Sequence, residues 1–279
     1  MSIRILTDTA CDFTKEEYAK YGVDYLSLIV SFGEQDYYDN ETINPEVFYE
    51  KLVSSKDLPR TSQITPFRYE EKLEELTQNG DTVILITLSS KLSGTYKSAC
   101  TAAKNFENVY VVDSLGATIT QKLLVLYASK LVAKGLNANY IVNELNEKKT
   151  KIRLFAAVDT LDYLKKGGRV SAAAATVGNI INLKPIISLI DGEVKMVSKA
   201  IGSRRANKAM LDLVNATAGI DFDLPIGTVY AGDKENLNKF LSDCSSVLNG
   251  AFDINECIIG PTIGTHVGPG AFGIAYFEK

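Results

Sequence analysis

The chain has 279 residues, of which 46% are hydrophobic and 23% are charged, and its formal net charge is -4. This composition is typical of a soluble globular protein, and the length favours two domains over a single core. The acidic balance argues against a general nucleic-acid-binding protein, which would carry a basic stripe.

Short apolar runs alternate with amphipathic ones in the first half of the chain. Strands are predicted at residues 3–7, 83–87 and 109–112. Each is followed by a polar turn and a helical stretch, as in a mainly parallel sheet covered by helices. Long helices are predicted at residues 66–78, which begin with proline, and at residues 115–133, which end just before Gly135.

The second half begins after a lysine-rich stretch at residues 148–151. Asp191-Gly192 is the strongest hairpin signal in the chain and joins predicted strands at residues 185–190 and 193–199. Further strands are predicted at residues 153–158, 226–230, 254–259 and 271–277. We therefore predict an α/β fold of two α/β domains, residues 1–158 and 159–279.

The cysteines and the N-terminus bear on the compartment. Four widely spaced cysteines form no C-x-x-C pair, so neither a zinc knuckle nor a redox dithiol is indicated, and free thiols favour a reducing interior. The N-terminus lacks the apolar segment of a signal peptide, and no run of about 18 apolar residues predicts a membrane span. We expect a cytoplasmic protein.

Asp8 and Asp12 flank the end of the first predicted strand. Two carboxylates four residues apart can serve acid/base chemistry or hold a metal. The structural alternative is favoured here, because a helix is predicted to begin near Thr14, and Asp and Thr side chains commonly cap helix N-termini.

Two hydroxyl-rich segments precede predicted helices. Thr61 and Ser62 lie just before the helix that starts at Pro66, where free backbone N–H groups attract anions. Such a cluster is often only a helix cap. Ser93 and Gly94 follow the strand at residues 83–87, and ligands of open α/β sheets bind at the carboxyl ends of strands. Together the segments predict a site of neutral donors for a carboxylate or phosphate.

His266, beside Thr265, is the chain's one histidine and lies in a glycine-rich segment, residues 260–273. Its charge changes near neutral pH and glycine lets a ligand approach the backbone, so a ligand site is one interpretation. A histidine that caps a turn is the other. The G-x-G-x-x-G pattern at residues 268–273 predicts no dinucleotide site, because the residues after it indicate a strand instead of a helix.

For three arginines a structural role is either absent or only one of two interpretations. Arg169 follows a lysine-glycine helix end that does not need it, and it suits an anion or an acidic partner surface. Arg204 and Arg205 add positive charge, although a solvated helix start is the simpler interpretation for both.

Seven ordered segments resemble the DegV family, bacterial fatty-acid-binding proteins that present acyl chains to a fatty acid kinase (FakB type). They are residues 8–12, 61–66, 90–96, 112–114, 163–171, 183–186 and the glycine-rich segment around His266. The family often has Asp-Ser-Thr or Asp-Ser-Ser where this chain has Asp8, Thr9 and Ala10. A hydroxyl role at position 10 is therefore not possible here.

The resemblance implies two α/β domains with a long-chain fatty acid in a tunnel and its carboxyl group at a polar mouth between the domains. Carried over by motif, Thr61, Ser93 and His266 bind the carboxylate, with Ser62, Gly94 and Thr265 beside them. Arg169 and Arg204 or Arg205 dock the kinase, whose acyl phosphate product feeds phospholipid synthesis. Residues 172–181 are candidates for the tunnel wall. No cofactor, no metal, no nucleic acid and no catalytic residue of its own are expected, and membrane contact, if any, is transient.

Two alternatives stay open at the level of sequence. Ser93 as nucleophile with His266 as base would make a hydrolase or acyltransferase, although no G-x-S-x-G elbow surrounds Ser93. The other is a carrier of a different amphiphile, such as a flavonoid or a retinoid-like molecule.

Overall fold

A computed structural model describes residues 2–170, 182–245, 247–248 and 253–279. Within them the chain forms three sheets. The strands, in chain order, are β1 (Ile3–Asp8), β2 (Val23–Leu26), β3 (Ile29–Phe32), β4 (Gln35–Tyr38), β5 (Arg60–Ser62), β6 (Thr82–Thr87), β7 (Val109–Asp113), β8 (Ile152–Ala157), β9 (Leu183–Ile190), β10 (Glu193–Ile201), β11 (Ile226–Tyr230), β12 (Ile254–Ile258) and β13 (Phe272–Phe277).

Helices cover these sheets. They are α1 (Lys15–Tyr21), α2 (Pro45–Ser54), α3 (Pro66–Thr77), α4 (Thr95–Ala103), α5 (Ile119–Ala133), α6 (Ala138–Lys148), α7 (Asp162–Lys166), α8 (Ser203–Asn215), α9 (Glu235–Cys244) and α10 (Pro261–Val267).

The first half is built on a parallel sheet in the order β2-β1-β6-β7. Strand β6 contains four consecutive buried apolar residues and β1 is buried from Ile5 to Asp8, as expected for strands covered on both faces. A small antiparallel sheet, β4-β3-β5, lies beside it and carries Thr61.

The second half is a mixed sheet in the order β10-β9-β8-β13-β11-β12. Its β9–β10 hairpin turns at Asp191 and Gly192, both with positive φ, as the Asp-Gly pair predicted. Strand β8 ends just before the predicted domain boundary at residue 158, yet it pairs with β13 and β9. The second sheet therefore starts at residue 152, and the division into two domains stays a prediction.

Two local predictions were wrong. The helix predicted from residue 115 begins at Ile119, because Leu115 and Thr118 adopt positive φ. The Thr118 N–H donates to the Ala10 carbonyl at 2.6 Å, which holds this loop against the end of β1. The Asp12 side chain does not cap α1, which Thr14 caps through a capping box with Glu17. The Asp8 side chain instead caps a short 3-10 helix, Thr9–Cys11, by accepting from the Ala10 N–H.

The hydrogen bonds between the two halves include three that hold the segment entering α10 and the β9–β10 turn. The Tyr49 hydroxyl donates to the Ile259 carbonyl at 3.0 Å, and the Ser89 hydroxyl donates to the Gly192 carbonyl at 2.8 Å. The Thr262 N–H donates to Asp39 at 3.0 Å. The segment entering α10 and the β9–β10 turn are therefore fixed against the first half, around the region where the predicted ligand residues meet.

Within the described parts of the chain, none of the helices combines the length and the apolar character that crossing a bilayer requires.

Candidate functional site

His266 lies in the last turn of the short helix α10. Pro261 begins this helix, where its missing N–H costs nothing. Gly264 lets the helix approach α2: a Cβ built on it would lie 2.6 Å from a ring carbon of Phe48. The glycine-rich segment thus forms a tightly packed helix that presents the imidazole inward.

Thr61 is the partner of that imidazole. Its Oγ1 lies 2.9 Å from His266 Nε2, although 205 residues separate the two in the sequence. Strand β5 places Thr61 opposite Val30 of β3, so its position is fixed by backbone pairing. The hydroxyl of Thr61 and the imidazole are therefore adjacent, and their role as ligand residues stays a prediction.

Ser93 belongs to the turn that precedes α4. Its hydroxyl donates to Thr95 Oγ1 at 3.0 Å and accepts from the Thr95 N–H at 3.2 Å. Gly94 follows it, and a Cβ there would lie 1.9 Å from Oε1 of Gln63, so the end of that side chain would have to move. Among the described residues Ser93 makes no hydrogen bond to His266, so the nucleophile–base contact of a hydrolase is not formed.

These side chains share one cavity, which lies between the two halves of the chain. Its wall includes Thr61, Ser62, Ser93 and His266. Most of the remaining wall is aliphatic and comes from both halves, including Leu28, Leu88, Leu154, Ile187, Leu189 and Val194. The arrangement is an apolar cavity with a small group of polar donors, the usual form of a small-molecule site.

Burial controls the charge of His266. It lowers the pKa of the imidazole to about 4, with the nearby Arg169 cation as the second cause. The ring is therefore neutral at physiological pH, and among the described residues its Nδ1 has no hydrogen-bond partner. Gly167 leaves room for the imidazole, since a Cβ on this residue would lie 2.2 Å from His266 Nδ1.

Arg169 lines the same cavity. Its Nε donates to the Leu92 carbonyl at 3.1 Å and its Nη1 donates to the Gly167 carbonyl at 2.6 Å. Burial of the guanidinium lowers the pKa of Arg169. The sequence did not predict this position, because the turn after α7 reaches the cavity only through the tertiary fold.

The chain belongs to the DegV family. The family's sequence model matches residues 2–279. A DegV domain-containing protein of Caldanaerobacter subterraneus is 35% identical over 99% of both chains. Protein DegV of Bacillus subtilis is 30% identical over the full length of both.

Solved structures of DegV proteins have the same fold. A fatty-acid-binding DegV family protein from Thermus thermophilus matches over the whole of both chains, with a TM-score of 0.90 and 28% identity. DegV of Bacillus subtilis, a fatty acid binding protein, matches with a TM-score of 0.88 and 30% identity, again over both complete chains. A stearic-acid-binding protein from Eubacterium ventriosum has a TM-score of 0.89 and 27% identity, over 100% of this chain and 99% of its own. The predicted α/β fold of the DegV family is confirmed.

The other predicted site residues of this DegV chain fall in different places. Thr265 is buried, and its hydroxyl donates to the Pro261 carbonyl at 2.9 Å, which leaves it outside the cavity wall. Arg204 and Arg205 are exposed in the first turn of α8. Their docking role, like that of Arg169, stays a prediction. The candidate tunnel wall at residues 172–181 lies outside the described residues.

A second polar cluster consists of Asp12 and Asp39, near the start of α10. Sequence reasoning singled out Asp12 but missed Asp39. Asp39 is buried and burial raises its pKa to about 7. Burial, and then the charge of Asp39, raise the pKa of Asp12 well above its usual range. Among the described residues both Asp12 carboxylate oxygens lack a hydrogen-bond partner. The described residues contain no group of three or more His, Cys, Asp or Glu side chains placed to hold a metal.

Proposed function

We propose that this DegV protein binds a long-chain fatty acid in the cavity between its halves and presents the carboxyl group to a fatty acid kinase. The single observation that carries the proposal is the convergence of Thr61, Ser93 and His266 on the wall of one largely aliphatic cavity. Fatty acid binding by DegV relatives of the same fold supports it.

The aliphatic wall accounts for most of the affinity. Burial of each methylene contributes about 0.8 kcal/mol, so a 16-carbon chain offers roughly 10 kcal/mol before ordering costs are subtracted. The polar site on the protein that binds the carboxyl group can then be small. The hydroxyls and the neutral imidazole can donate hydrogen bonds to a carboxylate, and Arg169 in the same wall adds one positive charge near it.

The chemistry is assigned to the partner. The kinase transfers the terminal phosphoryl group of a nucleoside triphosphate to a carboxylate oxygen; the new P–O bond forms as the bond to the departing nucleoside diphosphate breaks. The DegV protein holds the resulting acyl phosphate for transfer into phospholipid synthesis. Arg204 and Arg205 on α8 are exposed and available for docking.

Mass spectrometry of an organic extract of the purified protein tests the ligand directly. We expect a long-chain fatty acid in an amount approaching one molecule per chain. A retained flavonoid or retinoid-like molecule would replace the fatty acid proposal by the other-amphiphile alternative, and an empty protein that also fails to take up fatty acid would overturn it.

Variants test the head-group residues. Ser93→Ala and His266→Ala should lower acyl phosphate formation by the purified kinase at least tenfold, about 1.4 kcal/mol, because each removes a donor to a charged group. Ser90→Ala is the matched control, since Ser90 is exposed in the same loop and lies outside the cavity wall. Unchanged turnover in both variants contradicts the site. A stoichiometric adduct of a serine-directed probe at Ser93 would instead support the hydrolase.

A further inference from the structure

A second concavity lies on the outer side of the Thr61–His266 pair. It is a cleft between the segment leading into β5 and the end of α7, and we call it the basic cleft. Its wall consists of Leu58, Pro59, Arg60, Thr61, Tyr163, Lys166, Gly167, Arg169, Thr265 and His266. Thr61, Arg169 and His266 therefore line both the basic cleft and the fatty acid cavity.

The charge of the basic cleft is opposite to that of the whole chain. Arg60, Lys166 and Arg169 line it, and no Asp or Glu does, whereas the chain as a whole carries a net charge of -4. Within the described residues none of the three cations forms a salt bridge. Three uncompensated cations around one concavity attract an anion of more than a single charge.

The residues shared by the cavity and the basic cleft indicate that this anion is attached to the head group of the fatty acid. Thr61 and His266, the proposed partners of the carboxylate, line both the fatty acid cavity and the basic cleft. A group attached to a carboxylate oxygen that is held by these two side chains would therefore lie next to the basic cleft. A phosphoryl group carries a charge of about -1.5 to -2 at neutral pH and three acceptor oxygens, which match cationic donors.

We infer that the basic cleft binds the phosphoryl group of the acyl phosphate through Arg60 and Lys166, with Arg169 lining both the cleft and the fatty acid cavity. The inference rests on the proposed function, because it takes the fatty acid head group to lie at Thr61 and His266. It makes the protein discriminate between product and substrate: the acyl phosphate gains contacts that the free fatty acid lacks.

The test compares two ligands of equal chain length. One is a 16-carbon fatty acid, and the other is its 2-oxoalkylphosphonate analogue, in which a methylene replaces the bridging oxygen of the acyl phosphate. Both are titrated against a fluorescent fatty acid bound to the delipidated protein. We expect the phosphonate to bind more tightly than the fatty acid to the unmodified chain.

Lys166→Ala and Arg60→Ala should each weaken phosphonate binding by about three- to tenfold, because each removes one exposed cation near a dianion. Binding of the fatty acid should change less than twofold. Lys165→Ala is the matched control: Lys165 is exposed on the same helix, and it is not part of the cleft wall. Added salt should weaken phosphonate binding more than fatty acid binding in the unmodified protein.

The outcomes separate the two proposals. If neither ligand binds the unmodified protein, the proposed function fails and the inference falls with it. If the fatty acid binds but the phosphonate shows no preference, or a preference that Lys166→Ala and Arg60→Ala leave intact, the basic cleft is not the phosphoryl site. Because both side chains are on the surface, their loss is not expected to unfold the protein.

Discussion

The titration of His266 is the most direct probe of the head-group site. The chain has one histidine, so the imidazole signals in an NMR spectrum of the delipidated protein belong to His266 without further assignment. Burial and the Arg169 cation place its pKa at about 4, below the ordinary value of 6.5. The difference corresponds to about 3 kcal/mol in favour of the neutral ring.

The sign of this shift also predicts a stability effect. The unfolded chain takes up a proton on His266 below pH 6.5, whereas the folded chain does so only near pH 4. Stability is therefore lost as the pH falls from 6.5 to 4, by at most about 3 kcal/mol from this group. His266→Ala should reduce that loss in urea unfolding measurements made across the same range.

Binding of a fatty acid should raise the pKa of His266 by about one to three pH units, because a carboxylate within hydrogen-bonding distance favours the charged imidazolium. The long-chain alcohol of the same length is the matched control, since it fills the cavity without a charge and should leave the pKa low. Arg169→Ala should also raise the pKa in the empty protein, but not to 6.5, because burial is the larger cause. A midpoint near 6.5 in the empty protein, or equal midpoints with acid and alcohol, would refute the geometry.

Three further variants test the surroundings of the site. Gly167→Ala should weaken fatty acid binding and cost about 1–3 kcal/mol of stability, because its methyl group would overlap the His266 ring; a calorimetric binding curve as tight as that of the unmodified chain speaks against this contact. Tyr49→Phe should cost about 1 kcal/mol in denaturant unfolding, since it leaves the Ile259 carbonyl without its donor, and no loss of stability would mean that the bond contributes nothing. The raised pKa of Asp39, about 7, gives a contribution to stability that is present below pH 3.8 and lost as the pH rises to 7. Asp39→Asn should reduce the fall of the unfolding free energy between pH 4 and 7, and the exposed Asp36→Asn should not; identical slopes in both would contradict the burial argument.

The strands and the hairpin could be predicted because their signals are local. Apolar runs of five or six residues marked the buried strands β1 and β6, and the Asp-Gly pair marked the β9–β10 turn. The start of α5 could not be predicted in the same way. The loop before it is held by a hydrogen bond from Thr118 to Ala10, and a bond between residues so far apart leaves no periodic trace in the sequence.

The candidate site residues could be proposed from their residue types but their arrangement could not, and their role as ligand residues stays a prediction. Hydroxyl segments at strand ends and a lone histidine predicted Thr61 and His266, and their hydrogen bond is present. From its position after a helix end, Arg169 was predicted to pair with an anion or with an acidic partner surface, and the fold places it in the cavity wall. Asp39 gave no signal at all, because its approach to Asp12 depends on the packing of α10 against both.

Arg60 and Lys166 line the basic cleft but not the fatty acid cavity. This difference determines which bound species their positive charges stabilise. On the cavity side the wall contains the neutral donors Thr61, Ser93 and His266 and the Arg169 cation, and its aliphatic part leaves most of the affinity to the tail. On the cleft side, the positive charges of Arg60 and Lys166 stabilise only a phosphoryl group that is attached to the carboxyl oxygen. A cation in direct contact with the carboxylate would stabilise substrate and product alike, and binding both equally well does nothing to favour phosphorylation. Arg60 and Lys166 line only the basic cleft, so their contribution is restricted to the phosphorylated form, which is the species that a carrier must hold after the kinase has left.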